Sequence, residues 1–213
     1  MIRRFAGLLA LAVAACVLAT TSLPAATQEA GTEDCASALW LDPRSPNPTA
    51  DTAPALDLAV APAWMSIDLV DACTGDEFTI ADFAGKTIYI EGMATWCPPC
   101  RDQLVRLTDA FNQIPELERE EIVIVALSSE VDLPPEALAD YAAANGFPFV
   151  FAVMPIDMLQ AMADDLGQEI AVPPATPHLI VAPDGTIGDI QTGSSSPEEL
   201  LTLFAETRDA SAP

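Results

Sequence analysis

The stretch 88–100 constrains this chain more than any other. An apolar run at 88–93 leads straight into Trp96-Cys97-Pro98-Pro99-Cys100, and a helical pattern starts at the second cysteine. The run contains Ile88, Tyr89 and Ile90 and reads as a buried strand. Beyond it, Leu104, Leu107, Phe111 and Ile114 recur at helical spacing until Pro115 stops the helix. Both cysteines thus sit at a strand–turn–helix junction. A cysteine there faces unpaired backbone N–H groups and the positive end of the helix dipole, which favours thiolate over thiol. Cys97 is the expected attacking sulfur. Cys100, one turn further in, is the shielded sulfur that resolves a mixed disulfide. Pro98 and Pro99 restrict the loop and withhold N–H groups from the sulfurs, so they are expected to tune the redox potential. The competing reading is a purely structural bond or a metal site. A zinc site would need a second Cys or Cys/His pair, and His178 is the only histidine, so no metal and no cofactor are expected.

The rest of the domain alternates strands and helices. Segments 67–70 and 77–80 flank a turn at 72–76 and predict an N-terminal β-hairpin. A continuously apolar strand is expected at 122–127, then a helix over 135–145 closed by Asn145-Gly146. A strand at 149–153, a helix at 156–166, and a hairpin of 179–181 with 186–190 follow. Ser196-Pro197-Glu198-Glu199 is a capping box opening a last helix. This order predicts an α/β domain with a central mixed sheet flanked by helices.

At the other end, Arg3 and Arg4 precede an apolar run over 5–19, the pattern of an export signal. Three fates of segment 1–26 stay open: cleavage near Ala25 or Ala26, lipidation of Cys16 within Val13-Ala14-Ala15-Cys16, or an uncleaved anchor. Residues 27–61, rich in Ala and Pro, read as a tether, with Leu39-Trp40-Leu41 as an apolar island. The domain is placed at 62–208 and a tail at 209–213. The formal charge of −24 and the single lysine, Lys86, repel nucleic acid and anionic lipid head groups. Of five cysteines, Cys16 lies in the signal and Cys97 pairs with Cys100 by spacing. Cys35 and Cys73 are left for one another as a structural disulfide, or else as two separate buried thiols.

The stretch Gly92-Met93-Ala94-Thr95-Trp96-Cys97-Pro98-Pro99-Cys100-Arg101 resembles the active site of the TlpA/ResA-like branch of the thioredoxin superfamily, and Thr176-Pro177 resembles its cis-proline loop. The segment 135–153 resembles the helix–strand insertion of that branch. The resemblance implies a thioredoxin-like fold and a membrane-linked thiol–disulfide oxidoreductase. Its clients would be extracytoplasmic protein thiols and disulfides, apocytochrome c cysteines among them, and its electron donor would be membrane-embedded. An exported monomer is expected, periplasmic or on the outer face of the cytoplasmic membrane. Thr176, Pro177 and Trp96 would meet the client, Trp96 as a lid and the cis-proline loop with backbone groups open to a client strand. Pro173 and Pro174 compete with Pro177 for that place.

Two positions depart from the branch. Gln103 stands where a glutamate is common, and Glu91 where asparagine is. A carboxylate in an apolar strand is costly to ionise, so Glu91 is the expected proton acceptor for Cys100, unless it reaches solvent at the strand end. The rival of another class is a copper chaperone using Cys97, Cys100 and His178. It resembles Sco-like proteins except in cysteine spacing, and a half-exposed strand histidine is the plainer expectation.

Overall fold

A computed structural model describes Cys35 and residues 61–210. The signal with Cys16 and, apart from Cys35 and Ala61, the tether with its apolar island lie outside the described residues. The chain first turns at Asp71, whose carboxylate accepts the Cys73 N–H at 2.7 Å while Gly75 takes φ +75°. That turn joins β1 (Leu69–Val70) to β2 (Glu77–Phe78) as an antiparallel hairpin. β3 (Thr87–Met93) follows and runs into α1 (Pro98–Gln113), a short α2 (Glu116–Arg119) and β4 (Ile122–Ser128). Then come α3 (Pro135–Asn145), β5 (Val150–Val153), α4 (Ile156–Leu166), β6 (His178–Val181) and α5 (Pro197–Ala210).

The main sheet has the order β5-β4-β3-β6. β3 and β4 are buried at every position because helices cover both faces, which is why their sequences do not alternate. α1, α3 and α5 pack on the face carrying Tyr89, Met93, Ile124 and Phe151. α4 and the N-terminal turn with Trp64 cover the face carrying Ile88, Ile90, Val123 and Val125. β3 is parallel to β4 and antiparallel to β6, which makes the sheet mixed. This is the thioredoxin-like α/β fold, with the hairpin before the main sheet and the pair α3–β5 following β4.

Local signals act as the sequence suggests in several places. Gly146 closes α3 at φ 64°. Ser196 and Glu199 form the reciprocal capping box of α5, with N···O distances of 2.7 and 3.3 Å. Two expectations need correction. α5 runs on through Asp209 to Ala210, so the helix takes in the start of the expected tail. The strand expected at 186–190 makes only isolated bridges, Val181 to Ile187 and His178 to Gln191. One extra residue on that side forms a bulge, where the Gly188 N–H reaches the Ile180 carbonyl at 2.8 Å.

Cys35 and Cys73 are joined by a disulfide with Cα atoms 5.5 Å apart. Both cysteines are buried beside α3 residues in the core. Closing a separation of 38 residues limits the unfolded chain by roughly 4 kcal/mol on the loop-entropy model. A reductant that opens Cys97–Cys100 is therefore expected to leave this bond intact. Alkylation and mass mapping after mild reduction checks this; finding Cys35 and Cys73 both alkylated would contradict it.

Candidate functional site

Pro98 and Pro99 occupy the first two positions of α1, where their missing N–H groups cost nothing and their fixed φ suits a helix start. Cys97 is the N-cap. With both prolines lacking donors, the Cys100 N–H is the helix-end group that reaches Cys97 Sγ, at 3.2 Å. A charge-assisted bond from that donor would stabilise a Cys97 thiolate. The two sulfurs are bonded in this structure, with Cα atoms 5.4 Å apart. Both cysteines are covered, Cys97 at 1% and Cys100 at 0% exposure, so a client reaches Cys97 only after a covering segment moves. The turn Pro173–Ala175 covers the other sulfur, since the Pro173 carbonyl oxygen lies 3.0 Å from Cys100 Sγ.

The neighbouring loop departs from expectation. Every described peptide bond is trans, that between Thr176 and Pro177 included. The chain reverses instead through Thr176, which takes φ 48°. Its N–H then donates to the Pro173 carbonyl at 2.8 Å, and its own carbonyl accepts from His178 Nδ1 at 3.0 Å. The Ala175 carbonyl accepts from Gly193 N, and the Pro177 carbonyl from Gly92 N. These groups are engaged within the chain rather than open to a client strand. Pro177 instead packs on β3. A Cβ added at Gly92 would lie 3.0 Å from Pro177 Cγ and 3.2 Å from the Ile170 carbonyl oxygen, so any larger residue would push these neighbours back by a few tenths of an ångström.

Glu91 faces the α1 and α5 side of β3 and is wholly buried. It does not reach solvent at the strand end. Burial pushes its pKa up to about 8, opposed by the Tyr89 hydroxyl, which donates to Oε2 at 3.0 Å. Oε1 has no partner among the described residues. Opposite Glu91 in register stands His178 of β6, whose ring stacks on Tyr89 with centroids 5.5 Å apart. His178 is buried rather than half-exposed. Burial holds its pKa below the ordinary imidazole value, against the pull of the Thr176 carbonyl. Among the described residues, no group of three His, Cys, Asp or Glu side chains is placed to hold a metal ion.

Three residues at this site carried no role in the sequence reading. Glu130, beyond the end of β4, accepts the Thr95 N–H at 2.6 Å and the Thr95 hydroxyl at 2.9 Å. It thereby ties the loop before Cys97 to the next strand. Its signal was a polar Ser128-Ser129-Glu130 at the carboxyl end of a buried strand, where α/β sheets place their sites. Tyr89 and Gln103, both fully buried, are the other two. Trp96 is 61% exposed and Val172 48%, which leaves apolar surface on the segments bordering the sulfurs.

Comparison with known proteins agrees with this architecture. A curated relative, "Probable nucleoredoxin 1" of Arabidopsis thaliana, is 36% identical over 58 residues, covering 27% of this chain and 10% of that protein. The chain thus matches about a tenth of that relative's length. Among solved structures, a thiol:disulfide interchange protein of the thioredoxin family from Chlorobium tepidum TLS superposes with TM-score 0.54 at 17% identity. That match covers 69% of this chain and 94% of that one. Yeast Sco1 with copper bound gives TM-score 0.57 at 17% identity, covering 68% and 92%. At such identities the structural likeness bears on the fold alone. The family model described as Redoxin matches residues 48–203, more than half of the sequence, and the chain belongs to the Redoxin family.

Proposed function

We propose that this protein is an exported thiol–disulfide oxidoreductase that reduces disulfides of client proteins, of the TlpA/ResA-like kind. The observation that carries the reading is the Cys97–Cys100 pair at the N-terminus of α1, with the Cys100 N–H on Cys97 Sγ. In the reduced protein, the Cys97 thiolate attacks one sulfur of a client disulfide. A Cys97–client bond forms, and the other client sulfur leaves as a thiolate. Cys100 then gives its proton to Glu91 and attacks Cys97 Sγ. The Cys97–Cys100 bond forms and the client is released as a dithiol, carrying two electrons from the protein. The buried Glu91, with its pKa near 8, suits this proton transfer without leaving two charges in the core. Trp96 and Val172 would offer an apolar contact to clients. Apocytochrome c cysteines are the client class favoured here, with a membrane-embedded donor restoring the dithiol. No described helix is long and apolar enough to cross a membrane, so anchoring would fall to the N-terminal segment.

The test is catalysed reduction of a protein disulfide such as insulin's, driven by a thiol reductant. Wild-type protein accelerates the reaction, whereas a rate equal to the uncatalysed one contradicts the proposal. A copper chaperone using Cys97, Cys100 and His178 is the alternative reading; among the described residues these three side chains are not grouped to hold a metal ion while the cysteines are bonded to each other. Stoichiometric copper binding by the reduced protein, lost in His178→Ala, would move the assignment to that reading.

A further inference from the structure

Around Glu91 the buried polar atoms form a chain whose direction is fixed at one end. The Ser195 N–H donates to Gln103 at 3.0 Å. A backbone N–H can only donate, so the atom of Gln103 that meets it is the carbonyl oxygen Oε1. The amide nitrogen Nε2 must then point the other way, and it lies 3.5 Å from the Tyr89 hydroxyl. That hydroxyl receives from Gln103, so its own proton goes to Glu91 Oε2, 3.0 Å away. Ser195, Gln103, Tyr89 and Glu91 thus form a one-way relay of donors that ends on one carboxylate oxygen.

Among the described residues, Tyr89 is the side chain that acts on the Glu91 carboxyl alongside burial. Tyr89 flanks it on β3, and His178 stands opposite on β6. On the other side β4 places Ala126, and α5 brings Leu200 and Phe204 to the same face. α1 contributes Gln103, which reaches the carboxylate through Tyr89, and Cys100 is buried one turn earlier on the same helix face. The turn at Pro173–Ala175 adds no titratable side chain.

We propose that Gln103 and Tyr89 are positioning residues for proton transfer: the relay holds Glu91 Oε2 and leaves the buried, unpartnered Oε1 to take the proton of Cys100. This rests on the reading of Glu91 given above. It also gives Gln103 a task that a carboxylate could not perform. Glutamate at 103 could still accept from Ser195, but when ionised it has no proton for Tyr89. Two acceptors would then compete for one hydroxyl.

Stopped-flow mixing of the reduced protein with an aromatic disulfide reagent that releases thionitrobenzoate separates the two steps. The first release reports attack by Cys97, and the second reports resolution by Cys100. In wild type the second phase accelerates with pH around a midpoint near the Glu91 value of about 8. Tyr89→Phe keeps the ring stack and removes the donor. Its midpoint is expected to rise by roughly one pH unit, with second-phase rates about tenfold lower at pH 7. Gln103→Glu is expected to shift the midpoint in the same direction, and Gln103→Leu to a smaller extent. The first phase stays unchanged in all three. Unmoved midpoints in folded Tyr89→Phe and Gln103→Leu, with the profile lost in Glu91→Gln, would overturn the relay and leave the role of Glu91 standing. An unaltered profile in Glu91→Gln itself would overturn both.

Discussion

Cys97→Ser is expected to abolish disulfide reduction, with the rate falling to that of the uncatalysed exchange. A serine oxygen is neither ionised near neutral pH nor able to form the mixed disulfide, so the first bond cannot be made. The loss does not require misfolding. Serine is a preferred N-cap, and its oxygen can accept the Cys100 N–H that now meets Cys97 Sγ. Thermal unfolding should therefore show a folded variant with no activity. Cys100→Ser differs in kind: first attack survives, resolution does not, and mixed disulfides with clients accumulate. Alkylation of the reduced protein near neutral pH should modify Cys97 before Cys100. The reverse order would exchange the two roles.

Glu91→Gln is expected to slow turnover by between about 10- and 10⁴-fold, the range for losing a positioned general base. The loss should fall on resolution, because a helix N–H supports a thiolate on Cys97 while Cys100 Sγ faces the Pro173 carbonyl oxygen, which disfavours one. The same substitution reads out in stability. Glu91 titrates near 8 in the folded chain, against an ordinary value of 4.5. Between these values the folded state holds a proton that the unfolded state has released, so stability falls as pH rises through that window. Its contribution is complete below pH 4.5 and gone above about 8. Glu91→Gln removes this slope and should be the more stable protein at pH 8, by a few kcal/mol. Urea unfolding at pH 5 and pH 8 measures the difference. A parent and variant with parallel pH dependence would mean that Glu91 is ionised in the folded state.

The strand, the N-cap cysteine and the helix were legible because local rules determine all three: an apolar run, prolines at a helix start and helical spacing up to Pro115. The cost of a carboxylate among Tyr89, Ile90 and Met93 was legible for the same reason. What Glu91 touches was not. Tyr89 read only as part of the buried strand and Gln103 only as a departure from the expected glutamate, and Ser195 comes from a loop 92 residues further along the chain than Gln103. Register brings His178 beside Glu91, and pairing across strands is not written in either segment. The Thr176 loop was misread because a proline before a strand marks a turn without saying how the chain makes it. Here a left-handed threonine makes the reversal across a trans bond. The isolated Gly188 is itself the kind of residue that marks a bulge, and the hairpin expected of 179–181 with 186–190 passed over that signal.

Whether Cys97 and Cys100 form a working reductant couple is decided by redox equilibration of the folded protein with thiol buffers. One two-electron transition is expected, reversible without unfolding, that maps to these two cysteines while Cys35–Cys73 stays closed. Its potential should lie nearer the roughly −270 mV of a reducing thioredoxin than the roughly −120 mV of a strong oxidant. A couple near the oxidant value, or a bond that opens only when the protein unfolds, would contradict the reductant assignment.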